Sequence, residues 1–374
     1  MSKWKETYLG SVLEVKYGKD HKNLKEGTIP CLGSGGLMRY VDKSIYENES
    51  ILIPRKGSLY NIMYQNKPFW TVDTMFWSKI DKEQVSPKFL FYQLTMIDYE
   101  NLNVGSAVPS LTVPVINEIE ISLPPLPEQH AIASVLNSLD DKIDLLHRQN
   151  QTLEKMAETL FRQWFVEEAK EDWEEKTLGQ LLTITSSKRI FYSEYVSSGV
   201  PFYRSKEIIE LRNTGSTASE LYISNERFNE INSRFGSPKE GDILITSVGT
   251  LGVAYRVKAS DKFYFKDGNL TWFKEFKELP SSIIYLWLIS KIGQEELASI
   301  TIGSTQQALT IEGLKSISFK IPPKESISEC EKEFDAIISK IELNHNQIRT
   351  LSTLRVTLLP KLMSGEVRVE KNDL

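Results

Sequence analysis

The sequence predicts an α+β chain in which two strand-rich units are separated by two long helices that pair as an antiparallel coiled coil. The whole is a pseudo-twofold internal duplication. Three observations predict this. Blocks of sequence recur in one order; each block ends at a proline pair; and a long apolar seam follows each pair. Trp4-Lys5-Glu6-Thr7-Tyr8-Leu9-Gly10 returns as Trp173-Glu174-Glu175-Lys176-Thr177-Leu178-Gly179, and Ile51-Leu52-Ile53 with Gly57 returns as Ile243-Leu244-Ile245 with Gly249. At a constant offset of 198 residues, Gly105-Ser106 matches Gly303-Ser304, Leu111-Thr112 matches Leu309-Thr310, Pro124-Pro125 matches Pro322-Pro323 and Lys142-Ile143 matches Lys340-Ile341. Repeats in a fixed order indicate duplication of a whole structural unit. The expected boundaries are 1–125 for the first unit, 126–170 for the first helix, 171–323 for the second unit and 324–374 for the second helix and tail.

Within each unit, short β-branched and aromatic runs bounded by Gly, Pro and Asn read as strands, among them Ser50 to Ile53 and Asp242 to Thr246. Phe89 to Ile97 and Ser282 to Ile292 read as one short helix per unit. The proline pairs then close each unit, since proline disfavours helix in the residue before it.

The seam of the first long helix is Leu136, Leu139, Ile143, Leu146, Asn150, Leu153, Ala157, Leu160 and Trp164. That of the second is Phe334, Ile337, Ile341, Asn344, Ile348, Leu351, Arg355, Leu358 and Leu362. Alternate spacings of three and four give the period of 3.5 that marks coiled-coil packing. The alternative is a pair of amphipathic helices, each lying on its own unit. Pro360 is expected to disturb or end the second helix near its last turn. One asparagine in each seam suggests a register. Facing amides can bond to each other, which sets Asn150 against Asn344, Ile143 against Leu351, Leu160 against Phe334 and Leu139 against Arg355, near Asp140.

The 374 residues include 45 basic and 50 acidic side chains, for a net charge of −5. That charge is unevenly placed: residues 1–127 are neutral, 128–175 carry −7, 176–324 carry +4 and 325–374 carry −2. The two units are therefore compatible with a polyanion, and the acidic run from Glu167 to Glu175 is expected to face away from one. Cys31 and Cys330 alone provide neither a disulfide framework nor a cysteine zinc site. No apolar run reaches the roughly 18 residues of a membrane span, and Met1 to Gly10 has no signal-peptide character, so a cytoplasmic protein is expected.

The sequence carries no recognisable catalytic pattern. Both proline pairs follow aliphatic residues, Leu123 and Ile321, so neither forms the Asn-Pro-Pro-aromatic motif of an amino-methyltransferase. Gly33-Ser34-Gly35-Gly36 fits neither a phosphate loop nor a dinucleotide fingerprint and reads as a turn or a close backbone approach. His21, His130, His147 and His345 lie in unlike contexts, and His147 and His345 occupy equivalent helix positions that read as structural. No catalytic residue and no metal ligand is expected.

Ile119-Glu120-Ile121-Ser122-Leu123-Pro124-Pro125-Leu126-Pro127-Glu128-Gln129, with Leu139-Asp140-Asp141-Lys142-Ile143 beyond it, resembles the specificity subunits of type I restriction-modification systems. So do Ile53-Pro54-Arg55-Lys56-Gly57-Ser58, Gly241-Asp242-Ile243-Leu244-Ile245, Gly303-Ser304-Thr305-Gln306 and the closing Leu358 to Val369. The resemblance covers essentially the whole chain. It implies a non-catalytic reader of double-stranded DNA whose two target-recognition domains each read half of a bipartite site. It also implies that the helices dock two methyltransferase subunits that methylate adenine, with motor-nuclease subunits in the full complex. S-adenosylmethionine, ATP and magnesium are then expected on partners, with none bound by this chain and no membrane involved. The second copy departs from the pattern, with Lys324-Glu325-Ser326-Ile327 in place of Leu-Pro-Glu-Gln. The two helix starts therefore need not dock alike.

Reading bases requires Arg, Lys, Asn or Gln at base edges, with Ser, Thr and further cations on phosphates. The candidates in the first unit are Lys16, Lys19, Arg39, Arg55, Lys56, Ser58 and Asn61. Those in the second are Lys188, Arg189, Arg204, Lys206, Arg212, Gln306 and Gln307. A helix of about 36 residues is roughly 54 Å long, enough to space two readers about one duplex turn apart. The competing class is a coiled-coil adaptor whose duplicated modules bind protein or glycan.

Overall fold

The computed structural model describes residues 4–303 and 307–369. The first half forms β1 (Lys5–Tyr8), β2 (Leu13–Tyr17), β3 (Ile29–Gly33), β4 (Gly36–Val41), β5 (Ser50–Pro54), β6 (Met63–Gln65), β7 (Trp70–Thr71) and β8 (Met75–Ile80), then α1 (Pro87–Leu94), α2 (Val113–Asn117) and β9 (Glu120–Leu123). The first long helix, α3 (Leu126–Arg162), follows directly. The second half repeats the plan with β10 (Glu174–Thr177), α4 (Leu178–Leu181), β11 (Thr183–Thr185), β12 (Tyr195–Val196), β13 (Val200–Tyr203), α5 (Ser205–Thr214), β14 (Tyr222–Ile223) and α6 (Asn225–Phe235). It continues through β15 (Ile243–Thr246), β16 (Ala254–Arg256), β17 (Tyr264–Phe265), β18 (Leu270–Lys274), α7 (Ser281–Ile289), α8 (Lys291–Ser299), α9 (Ile311–Ser316) and β19 (Ser318–Ile321) into α10 (Lys324–Met363).

The duplication is visible in the sheets. In the first unit the order is β2-β8-β5-β6, with a second sheet β4-β3-β7 and the antiparallel pair β1-β9. The second unit has β11-β18-β15-β16, a second sheet β12-β14-β13-β17 and the pair β10-β19. In each second sheet one pairing is parallel, β3 with β7 and β13 with β17. The turn Gly57, at φ +90°, and its counterpart Gly249, at φ +80°, use a backbone conformation that costs glycine nothing. Lys56 then bridges to Ser110, and Val248 to Ala308, which fixes the loop after the central strand in both copies.

Two compact units divide the chain, Met1–Lys142 with Ser352–Leu374 and Ile143–Leu351. Each long helix therefore contributes one stretch to each unit, whereas the sequence boundaries assign each helix to a segment of its own. In the first unit Ile132 and Leu136 of α3 share a core with Leu358 and Leu362 of α10. Arg355 Nη1 lies 2.8 Å from Asp140 Oδ1. In the second unit Asn344 Nδ2 donates to Asn150 Oδ1 at 2.8 Å, and Trp164 packs on Phe334 with ring centroids 5.5 Å apart. Numbers rise on one helix as they fall on the other, so the pairing is antiparallel within each unit. Leu146, Asn150, Phe334, Ile337, Ile341, Asn344 and Ile348 are buried, while Leu139, Ile143, Leu153, Leu160, Leu351 and Leu358 are half-buried. α10 continues through Pro360 and ends one turn later at Met363, with Gly365 at φ +73° beyond it.

Helix content differs from the sequence expectation of one short helix per unit. The apolar run from Ser282 to Ile292 breaks at Ser290, whose side chain caps α8 by accepting from Gly293 N. The second unit also gains α5 and α6, mostly polar helices with narrow apolar faces. Ser224 caps α6 by accepting from Arg227 N, and Gly215 and Gly236 close α5 and α6 at positive φ.

Candidate nucleic-acid interface

The segments after β2 and after β11 are each tied to the strand that pairs in parallel in the second sheet, by different groups. In the first unit Lys19 N donates to Thr71 O, on β7, at 2.9 Å, and Trp70 Nε1 donates to Lys19 O at 3.0 Å. In the second, Ser187 Oγ donates to Phe265 O, on β17, and Lys188 N donates to Tyr264 Oη, both at 2.8 Å. Lys19 follows β2 by two residues and Lys188 follows β11 by three, and both are exposed.

The other expected residues of the first unit lie on β2, on β4 and in the loop after β5. Arg55 stacks over the exposed ring of Tyr17, 5.4 Å from its centroid, and donates to Asp73 O at 3.2 Å. Lys56 and Ser58 are exposed. Asn61 Nδ2 donates to Ser34 O at 2.8 Å, tying the loop to the Gly33–Gly36 turn between β3 and β4. Lys16 is paired with Glu14. Arg39 has a different job. Its Nη2 donates to His21 O at 2.8 Å and Leu24 O at 2.7 Å, bracing the 21–24 turn from a half-buried position. Arg39 thus braces this turn through two backbone carbonyls.

In the second unit Lys188 Nζ lies 4.5 Å and the Arg234 guanidinium 5.4 Å from the centroid of Phe235. Arg189 is exposed and pairs with Asp267 at 2.9 Å. Arg204, Lys206 and Arg212 are engaged elsewhere. Arg204 Nη2 reaches buried Glu207 at 2.6 Å and Glu220 at 2.8 Å, and Lys206 reaches Glu220 at 2.7 Å. Hydrogen bonds from Lys206 and Arg204 pull the Glu220 carboxyl down to about 2, so it stays charged and compensates them. Arg212 pairs with Glu154 of α3 at 2.8 Å. These three cations make helix-stabilising and helix-packing contacts. Gln307 is exposed; Gln306 lies outside the described residues. Sequence reasoning missed Phe191, Tyr192 and Phe235, which are 61%, 88% and 44% exposed. The adjacent rings at 191 and 192, within a polar stretch, were the available signal.

A cleft of about 400 Å³ in the second unit is lined by His147, Asn150, Glu154, Arg212, Gln294 and His345, among others. Burial, reinforced by Lys258, Arg212 and His147, pushes the His345 imidazole down to about 4. A depressed histidine is protonated first in the unfolded chain. The folded state is therefore expected to lose stability as pH falls from about 6.5 to about 4, at up to about 1.4 kcal/mol per pH unit. Urea midpoints measured across that window should fall with acid, and His345→Asn should flatten the slope. An unchanged slope would refute it. Among the described residues no group of three or more His, Cys, Asp or Glu is placed to hold a metal ion, and no helix is long and apolar enough to cross a membrane.

The family model for the type I restriction modification DNA specificity domain matches residues 1–155 and 170–353. The chain belongs to that family. A Haemophilus influenzae protein bearing the name of a type I restriction enzyme specificity subunit is 29% identical over 340 residues, covering 86% of this chain and 82% of that one. The type I restriction enzyme MjaIX specificity subunit of Methanocaldococcus jannaschii is 26% identical over 355 residues, covering 87% and 79%. The crystal structure of a type I restriction-modification S subunit from M. genitalium shares the fold, with a TM-score of 0.65 at 18% identity over 96% of both chains.

Proposed function

We propose that this chain is the non-catalytic DNA-reading subunit of a type I restriction-modification complex. Each unit reads one half of a bipartite duplex site. The paired helices dock two methyltransferase subunits, which bring S-adenosylmethionine and methylate adenine in each half. Motor-nuclease subunits using ATP and magnesium complete the assembly. The observation that carries this reading is an exposed lysine just after the first strand of the four-stranded sheet in each unit, with a cation lying over an aromatic ring nearby in sequence or in space. In one unit Lys19 follows β2, whose Tyr17 carries Arg55 over its ring; in the other Lys188 follows β11 and itself lies over Phe235, as does Arg234. A cation held over a ring keeps its charge outward at little entropic cost, and a phosphate can then approach it. These cations define the surface: Lys19, Arg55 and Lys56, with Ser58 beside them, in one unit, and Lys188 and Arg189 in the other.

The test is footprinting of the chain, co-expressed with its methyltransferase, on DNA carrying the host's bipartite methylated motif. Replacing Lys188 and Arg189, or Arg55 and Lys56, with alanine is expected to weaken binding about tenfold or more. Each lost phosphate contact should lower the salt slope by about 0.9. Binding that is indifferent to salt and to both replacements would favour a protein- or glycan-binding adaptor instead.

A further inference from the structure

Phe191 and Tyr192 are two adjacent rings placed in water, 61% and 88% exposed, on a support built to keep them there. Phe191 N donates to Glu194 Oε2 at 2.7 Å, closing the short turn Tyr192–Glu194. Glu194 is pinned from α6 by Arg227 at 2.7 Å, and Arg227 is itself held by Glu230 at 2.7 Å. On the near side Ile190 is buried in a core with Phe228 and Ile231 of α6, and Tyr195 packs edge-on to Tyr192 at 5.8 Å. The backbone that carries the rings is therefore fixed from both flanks. Adjacent large apolar groups held rigidly in solvent mark a contact surface. The charge around them selects the partner: Lys188 and Arg189 precede them by two to four residues, and α6 ends in Arg234 with Phe235 against Lys188. A rigid aromatic tip rimmed by cations fits a nucleic acid duplex, with the cations on phosphates and the rings on bases.

We propose that Phe191 and Tyr192 are the base-contacting, specificity-determining residues of the second unit, acting by ring contact at a base step while Lys188 and Arg234 hold the flanking phosphates. This rests on the DNA-reading assignment above. Neither ring is buried in a core, so their removal leaves the fold intact.

The experiment uses the full chain co-expressed with its methyltransferase subunits, and duplexes selected by the wild-type complex from a randomised library. Phe191→Ala and Tyr192→Ala are expected to weaken binding to the selected duplex tenfold or more. Binding to unselected plasmid DNA should change less than threefold, because the cations remain. Tyr192→Phe should retain wild-type affinity. With 2-aminopurine placed stepwise through the half-site, one position should brighten on wild-type binding and stay dark with Tyr192→Ala. Equal affinity and selectivity of both alanine variants would overturn the proposal and leave the DNA-reading assignment standing. Variants that fail to assemble with the methyltransferase, yet are otherwise folded, would show a protein-docking tip and overturn it too. A wild-type complex that selects no duplex would overturn both.

Discussion

Gln129→Ala is expected to lower the stability of the first unit by roughly 3 kcal/mol, because one buried amide serves three backbone groups. Gln129 is 1% exposed. Its Oε1 accepts from Ser86 N at 2.8 Å, and its Nε2 donates to Pro124 O at 2.9 Å and Gln84 O at 3.3 Å. Ser86 is the N-cap residue of α1, and its buried N–H depends on that one acceptor. The glutamine of the Leu-Pro-Glu-Gln motif thus locks the start of α3 to the unit before it. The second copy explains its own departure from that motif. Gln129 N donates to Pro125 O and Ile327 N to Pro323 O, so Ile327 stands where Gln129 does. The N-cap of α7, matching Ser86, is Pro280. Proline has no N–H to satisfy, so an amide there would meet no donor, and Ile327 packs into the core instead. Ile327→Gln is therefore expected to destabilise the second unit, and adding Pro280→Ser to recover part of the loss. Urea denaturation followed by hydrogen exchange at the first turns of α1 and α7 reads each unit separately. If Gln129→Ala and Ile327→Gln both leave their units unchanged, the matching of the two locks is wrong.

The duplication, the two long helices and their register were legible because each is written in local periodicity or in exact repetition. An apolar seam of period 3.5 needs no knowledge of the rest of the fold, and an asparagine within it asks for a polar partner. The candidate interface was only partly legible. Arg212 reads as a surface cation until Glu154, 58 positions earlier, is found 2.8 Å from it. Arg189 meets Asp267 across a similar gap, and Arg39 is consumed by two carbonyls that any residue would supply. Such compensation depends on tertiary neighbours, which spacing does not encode. The exposure of Phe191 and Tyr192 escaped the sequence for the opposite reason. Rings in sequence are assigned to the core by default, and only exposure separates Tyr192 from a buried ring such as Phe202.

Asn344→Leu is expected to cost roughly 1–3 kcal/mol, and the same is expected of Asn150→Leu, because either leaves the partner's amide buried without its bond. Asn344 is 0% and Asn150 6% exposed. The pair is joined by a hydrogen bond from Asn344 Nδ2 to Asn150 Oδ1, leaving Asn150 Nδ2 and Asn344 Oδ1 without a partner among the described residues. The layer is therefore only half satisfied, and its contribution to stability is small compared with its contribution to alignment. Replacing both residues with leucine removes all four polar atoms together, so the double variant should be at least as stable as either single one and close to the parent. What the double variant loses is the penalty for slipping. A shift of one heptad in the parent sets each amide against an apolar side chain, whereas a leucine in place of Asn150 can face any apolar seam position at no comparable cost. A cysteine pair placed at Leu153 and Ile341 reports the alignment, since these seam positions face each other in the register set by the asparagine layer. Crosslinking between them should be efficient in the parent and diluted by one-heptad neighbours in the double leucine variant. Additive losses in the double variant, with crosslinking unchanged, would show that the two amides do not act as a pair and that the register is held by the apolar seam alone.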